Sequence, residues 1–144
     1  MDELKKKYDD ATNAVAAFSV VAYHLKQIHI STDKDDYFDE ELIYQIPRDA
    51  CIKRFEIALD TLWKYLKRYL EITWKIYEKS PKDVFTSCAD KNLLSEAQTE
   101  LALKMIDDRN KAAHIYKEEI ADIVATSVTE YAKLMEFCLE KTKP

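Results

Sequence analysis

The chain has 144 residues and no glycine. Glycine supplies the positive-φ backbone of tight hairpins and lets a loop wrap closely around a phosphate, so its absence removes Gly-rich phosphate loops and most hairpin turn signals. What remains is a sequence 47% apolar and rich in Leu, Ala, Lys and Glu, the composition of a helix bundle. Its length fits one domain, residues 1–144, with a sizeable core. The 22 Lys and Arg against 27 Asp and Glu leave a net charge of −5, which argues against a broad basic surface for duplex nucleic acid but permits a small focused cationic cleft. Cys51, Cys88 and Cys138 are odd in number, far apart and set in helical patterns, and read as reduced core thiols of a cytoplasmic protein. No spacing suggests a zinc site or any other metal or cofactor site. The start of the chain lacks a signal-type apolar region, and the stretch from Ala14 to Val21 is too short to span a bilayer.

Apolar periodicity divides the chain into helices. Leu4, Tyr8, Ala11, Val15, Phe18, Ala22 and Leu25 form one stripe and predict a helix from about Asp2 to Ile28. Between His29 and Tyr44 the pattern breaks into a polar connection marked by Ser31, Thr32, Asp33, Asp35 and Asp36, with a short helical turn expected within Asp39–Ile46. A second helix is expected from Pro47 to about Glu78. Ile52, Trp63, Trp74 and Tyr77 broaden its apolar surface beyond one core face, which suggests a homodimer interface, or burial by several neighbouring helices. Ser80-Pro81 opens a short third helix reaching about Ala89, and Ser95 with Gln98 forms a capping box for a fourth. Ile120, Ile123, Val124, Ser127, Val128, Tyr131, Leu134, Met135 and Cys138 predict one last helix from about Lys117 to Lys141. The expected fold is all-α, an antiparallel four-to-five-helix up-and-down bundle.

The chemistry concentrates between the last two helical patterns, in Arg109-Asn110-Lys111-Ala112-Ala113-His114-Ile115-Tyr116. Arg109 is a permanent planar cation suited to phosphate oxygens. His114 moves a proton near neutral pH, Asn110 can orient either partner, and Tyr116 offers a phenol for group transfer. In a continuous helix Arg109 and Tyr116 would lie about 20° apart around the axis, whereas Arg109 and His114 would diverge by about 140°. Either the helix breaks here or a two-fold interface supplies second copies of these residues. An Arg-x4-His spacing arises by chance about 0.08 times in such a composition. Spacing alone therefore leaves open a purely structural role, with Arg109 paired to Asp108 or a nearby Glu and His114 a helix-end or core histidine. His24 and His29 read as surface or helix-end residues, and the tryptophans as core or interface residues rather than base-stacking platforms.

The segment resembles the Arg-x4-His-x-Tyr motif of the HEPN superfamily, and more closely the toxin partner of minimal nucleotidyltransferases, the nucleotidyltransferase substrate-binding protein family. Two further stretches carry the resemblance in the right order. The run from Arg54-Phe55-Glu56 to Trp63-Lys64-Tyr65-Leu66-Lys67 is similar to the family's long second helix, and Ser80-Pro81-Lys82-Asp83-Val84 to its following Ser-Pro helix start. Together they span roughly residues 50–120, and the first and last helices match in general character. Members often carry glycine after the Ser-Pro helix, where this chain has Asp90-Lys91-Asn92; asparagine tolerates the left-handed conformation.

The resemblance implies a helical homodimer with the motif at the subunit interface, partnered by a minimal nucleotidyltransferase acting as antitoxin, with RNA as substrate. Several members are metal-independent ribonucleases. Carried over, Arg109 stabilises charge on the scissile phosphate, His114 acts as general base or acid around the ribose 2′-hydroxyl, and Asn110 orients one of them. Tyr116 matches the position that the nucleotidyltransferase modifies with AMP in some members, and a bulky anion beside Arg109 would block the cleft. The alternative is a non-catalytic substrate-binding subunit of a nucleotidyltransferase, which the acidic balance suits. A helical adaptor without chemistry stands as the third reading.

Overall fold

The computed structural model describes residues 2–31 and 41–144, with the side chains of 2–28 and 43–144. Among the described residues there are six α-helices and no strand: α1 (Asp2–Ser31), α2 (Ile46–Trp74), α3 (Pro81–Asp90), α4 (Glu96–Lys111), α5 (Glu118–Ala125) and α6 (Val128–Lys141). The all-α expectation holds, with one helix more than the four or five anticipated. A π-turn, Glu41–Gln45, runs directly into α2 where a short helical turn was expected. Thr32, Asp33, Asp35 and Asp36 lie outside the described residues, as does the side chain of His29.

α1 packs chiefly along α2 and on its other side against α6. Its apolar stripe is buried as the periodicity requires: Leu4, Ala11, Val15, Phe18, Ala22 and Leu25 are all in the core. Tyr8 packs edge-on against Tyr65 of α2, their rings 5.4 Å apart. Ser19 and Tyr23 on α1 both donate to Glu136 of α6, at 2.7 and 3.1 Å, fixing the axial register of the two helices. At the core's centre Phe55 of α2 stacks on Tyr131 of α6 at 5.4 Å. Cys51, Cys88 and Cys138 are free and buried, and burial pushes the thiols of Cys51 and Cys88 up to about 12.

Local signals place most helix ends. The Ser80 side chain accepts from the Asp83 N–H at 3.2 Å. Ser95 and Gln98 satisfy each other's backbone N–H in a full capping box, at 3.1 and 2.9 Å. Three boundaries differ from expectation. α1 extends to Ser31. α2 stops at Trp74, four residues early, because Lys75 turns left-handed (φ 57°) and both its N–H and that of Ile76 reach the Leu70 carbonyl. The expected last helix is two, because at Thr126-Ser127 the Thr126 hydroxyl donates back to the Ile123 carbonyl at 2.7 Å and the chain re-enters a helix only at Val128.

The apolar surplus on α2 is partly absorbed within the chain. Ile52 is fully buried and Trp63 packs against the core, so both follow the second option, burial by neighbouring helices. Trp74 and Tyr77 do remain exposed, at 44% and 69%.

The glycine-free sequence has left two non-glycine residues left-handed, Lys75 and Asn92 (φ 61°). Asparagine tolerates this, whereas a lysine bears a steric cost of about 1–2 kcal/mol. Lys75→Gly is expected to raise stability by roughly 1 kcal/mol, about 3 °C in a thermal melt, whereas Asn92→Gly should change it by only a few tenths. A melt of Lys75→Gly at or below wild type would contradict this.

Candidate active site at the end of α4

Two consecutive residues anchor the C-terminal turn of α4 in opposite directions. Asp108 faces inward and is buried; it accepts a short hydrogen bond from the Tyr131 hydroxyl of α6. Lys104 stands 3.5 Å from the same carboxylate and donates to Tyr131 and Ser127 at 2.9 and 2.8 Å, and Lys111 lies 3.6 Å from its other oxygen. Burial, and then the Asp108 hydrogen bond, raise the Tyr131 phenol well above its ordinary range. Arg109 turns instead toward α2. Its Nε and Nη2 donate to the two oxygens of Asp60 at 3.1 and 2.9 Å, a side-on fork, and Nη1 lies 3.3 Å from Glu56. The Asp60 hydrogen bond, together with both carboxylate charges, raises the Arg109 pKa further against the cost of burial. Arg109 thus pairs with a glutamate, as the structural alternative allowed, but with Glu56 and Asp60 rather than Asp108.

The helix then breaks, which is one of the two solutions the helical angles permitted. Ala112–His114 form a 3₁₀ turn, the Lys117 N–H bonds the His114 carbonyl at 3.0 Å, and α5 starts at Glu118. This turn brings His114 and Tyr116 together: Nδ1 and the phenol oxygen are 3.3 Å apart, with the rings edge-on at 5.9 Å. Both residues are exposed, Tyr116 to 73%, so His114 is a helix-end histidine and not a core one. The Lys117 ammonium sits 6.0 Å from the Tyr116 ring centre. Asn110 is exposed, and among the described residues no hydrogen bond joins Arg109 or Asn110 to His114. Within this chain, then, the motif divides into an arginine held against α2 and a solvent-facing His–Tyr pair.

Two supporting groups escaped the sequence reading. Asp60 is one, a half-buried acid on α2. The other is Arg48, near the start of α2 and 1% exposed, which donates to Glu118 at 2.8 and 3.2 Å, to Asp122 at 2.9 Å and to Asp49 at 3.0 Å. It fastens α5 to α2 and so fixes the far end of the His–Tyr turn. An arginine one residue after a helix-starting proline, with acids at positions 118 and 122 one helical turn apart, was the available signal. Beside Asp60 a groove of about 170 Å³ between α1 and α2 is lined by Lys7, Asp10, Asp60, Thr61, Lys64 and Tyr65. Among the described residues no cluster of three or more His, Cys, Asp or Glu could hold a metal ion, and no helix is long and apolar enough to cross a membrane.

Three solved structures share the fold. A Thermus thermophilus protein is 29% identical, with 93% of this chain and 99% of that one covered and a TM-score of 0.76. A mutant of the toxin–antitoxin MntA-HpeT is 20% identical, covering 94% and 98% at a TM-score of 0.68. A tri-AMPylated Shewanella oneidensis HEPN toxin in complex with MNT antitoxin is 20% identical, covering 94% and 97% at 0.67. The chain belongs to the family described as nucleotidyltransferase substrate binding protein like, whose model matches residues 6–144. No curated protein matches it.

Two outcomes are expected from the anchors. Tyr131→Phe strips the buried Asp108 of its hydroxyl donor and should cost about 1–3 kcal/mol in denaturant unfolding. The Glu118 carboxyl is held below the usual carboxylate range, first of all by its hydrogen bond from Arg48. A depressed carboxylate stabilises above its unfolded pKa of about 4.3 and loses that contribution as pH falls through the folded value. Wild type should therefore lose this contribution to stability as pH falls below the usual carboxylate range, and Arg48→Met should flatten that dependence. Parallel melts across a range of about pH 3–7 check this; identical slopes would refute it.

Proposed function

We propose that this chain is the HEPN-type toxin of a toxin–antitoxin pair, a homodimeric, metal-independent ribonuclease of the cytoplasm, neutralised by a minimal nucleotidyltransferase that transfers AMP to Tyr116. The observation that carries the reading is the exposed Tyr116 hydroxyl 3.3 Å from His114 Nδ1, seven residues beyond Arg109, in a chain of this family. The two solved relatives named as toxin–antitoxin structures, one of them AMPylated, have the same fold.

In RNA cleavage, neutral His114 takes the proton of a ribose 2′-hydroxyl, whose oxygen attacks the adjacent phosphorus. The bond to the 5′-oxygen breaks, leaving a 2′,3′-cyclic phosphate, and an acid returns a proton to the leaving oxygen. Arg109 stabilises the charge that gathers on the phosphoryl oxygens, and Asn110 holds His114 or the phosphate in register. Because Arg109 turns to α2 while His114 faces solvent, a two-fold interface is the economical way to bring one protomer's arginine to its partner's histidine. Ile57, 47% exposed and three positions before Asp60 on α2, offers apolar area for such an interface.

In neutralisation the Tyr116 oxygen attacks the α-phosphorus of ATP, the bond to pyrophosphate breaks, and the phenol proton passes to a base such as His114. The product places a phosphodiester anion and a purine on the exposed turn, where Arg109, Lys111 and Lys117 are the nearby cations in sequence. A second reading, a binding subunit without chemistry, draws on the same family and on the net charge of −5.

Purified protein in EDTA should cleave total RNA, and His114→Ala and Arg109→Ala should lose at least about 100-fold in rate. Intact RNA, or equal cleavage by His114→Ala, would leave the binding-subunit reading. Co-expression with the nucleotidyltransferase should add the mass of AMP to wild type and not to Tyr116→Phe; an unchanged wild-type mass would remove the neutralisation step.

A further inference from the structure

The Arg109 side chain is hydrogen-bonded along its Nε/Nη2 edge and ion-paired at Nη1, and its partners come from a different helix. A guanidinium has five N–H donors in one plane. The Asp60 fork uses the Nε donor and one on Nη2, and Glu56 lies within ion-pair reach of Nη1. The Asp60 hydrogen bonds take two of the five, and the three left include the pair, one on each terminal nitrogen, that forms the outer edge of the guanidinium. The Cα end of the same residue is fixed independently, since the preceding Asp108 is tied to Tyr131 of α6. A long, rotamer-rich side chain is therefore constrained at its root and at its head.

We propose that Asp60, assisted by Glu56, is a positioning residue for Arg109, setting the plane of the guanidinium so that its two outer-edge donors meet a phosphate oxygen pair. The proposal rests on the ribonuclease reading above and extends it to a residue 49 positions away in sequence. A surface ion pair of merely structural kind is worth about 0–1 kcal/mol and would leave the reaction alone. A positioning pair behaves differently. Misplacing a catalytic group by about 1 Å can cost about 100-fold in rate, and the loss falls on the transition state rather than on ground-state binding. The rival role for the same geometry is a gate, in which the two carboxylates compete with the incoming phosphate.

The test compares wild type with Asp60→Ala, Asp60→Asn and Asp60→Glu on a defined RNA oligonucleotide. Asp60→Asn is close in shape and keeps one acceptor, but it turns an amide N–H₂ toward a guanidinium donor. Positioning predicts a kcat lower by about 10- to 100-fold in Asp60→Ala and Asp60→Asn, KM changed by less than about threefold, and partial recovery in Asp60→Glu. Wild-type kcat in Asp60→Ala overturns the proposal, and so does a lower KM with unchanged kcat, which is the signature of a gate. A folding defect is distinguished by the thermal melt and by the isosteric Asp60→Asn. Arginine side-chain NMR on the intact protein provides a readout independent of cleavage. The Arg109 Nε–H signal should be slow to exchange, with hindered rotation about Nε–Cζ, in wild type, and averaged in Asp60→Ala. Should wild type cleave no RNA, the ribonuclease reading has failed, while this signal still decides whether Asp60 holds the guanidinium: averaging already in wild type overturns the positioning.

Discussion

The end of α4 depends on an acid in an unfavourable place. A carboxylate at a helix C-terminus faces the negative end of the backbone dipole, and Asp108 is also buried there. It is tolerable because three groups converge on it: the Tyr131 hydroxyl, Lys104 one turn back and Lys111 three residues on. Tyr131 in turn stacks on Phe55 at the core's centre. The last turn of α4 is thereby tied to the aromatic stack of the buried core. The next residue is then obliged to leave the helix by another face, and that face looks to α2, where Asp60 and Glu56 wait. The placement of Arg109 is thus a consequence of how Asp108 is satisfied.

The turn beyond obeys the same logic at its other end. From Ala112 to Lys117 the chain has few buried side chains of its own, Ala112 being the exception. Its geometry is set on one side by the Asp108 anchor and on the other by the Arg48 cluster, which fastens Glu118 and Asp122 to the start of α2. Removing one charge from a buried, multiply bonded arginine costs more than any exposed pair on the surface, because the carboxylates around Arg48 oppose one another once it is gone. The exposed His114–Tyr116 pair is accordingly held by two ionic anchors set in opposite directions, with little apolar contact of its own.

Much of this was legible in the sequence, and the rest was not for identifiable reasons. Ser80, Ser95 and Gln98 announce helix starts because capping is local chemistry within three residues. The α1 stripe is legible because a single helix face reports its own burial. Asn92 could be read as a glycine substitute because few other side chains accept φ 61°. The break at Thr126-Ser127 was hidden because Ser127 falls on the apolar stripe and a two-residue interruption hardly shifts the helical phase. The pairings of Asp60 and Arg48 were hidden for a different reason, even though the acids at 118 and 122 hinted at a cationic partner. Their partners lie 49 and 70 or more residues away, and nothing in a charge's local neighbours says which distant charge it will meet. The part played by Ile52 and Trp63 stayed open because periodicity counts apolar residues on α2 without knowing how many helices pack around it.

The electrostatics of the site bear on how such a protein could meet an anion. With a net charge of −5 the long-range field repels RNA, and Arg109 itself lies between two carboxylates, so its local field is not that of a free cation. An RNA phosphate therefore gains from Arg109 only at hydrogen-bond range, where the two outward donors act directionally and screening matters little. Under the proposed ribonuclease function that favours selectivity over capture: a strand would be held where its backbone fits the donors rather than anywhere along a basic surface. The same field suits a protein partner that approaches with positive surface, such as the nucleotidyltransferase of the proposed function. Both partners would then read one short segment, the RNA through the fixed edge of Arg109 and the nucleotidyltransferase through the exposed phenol.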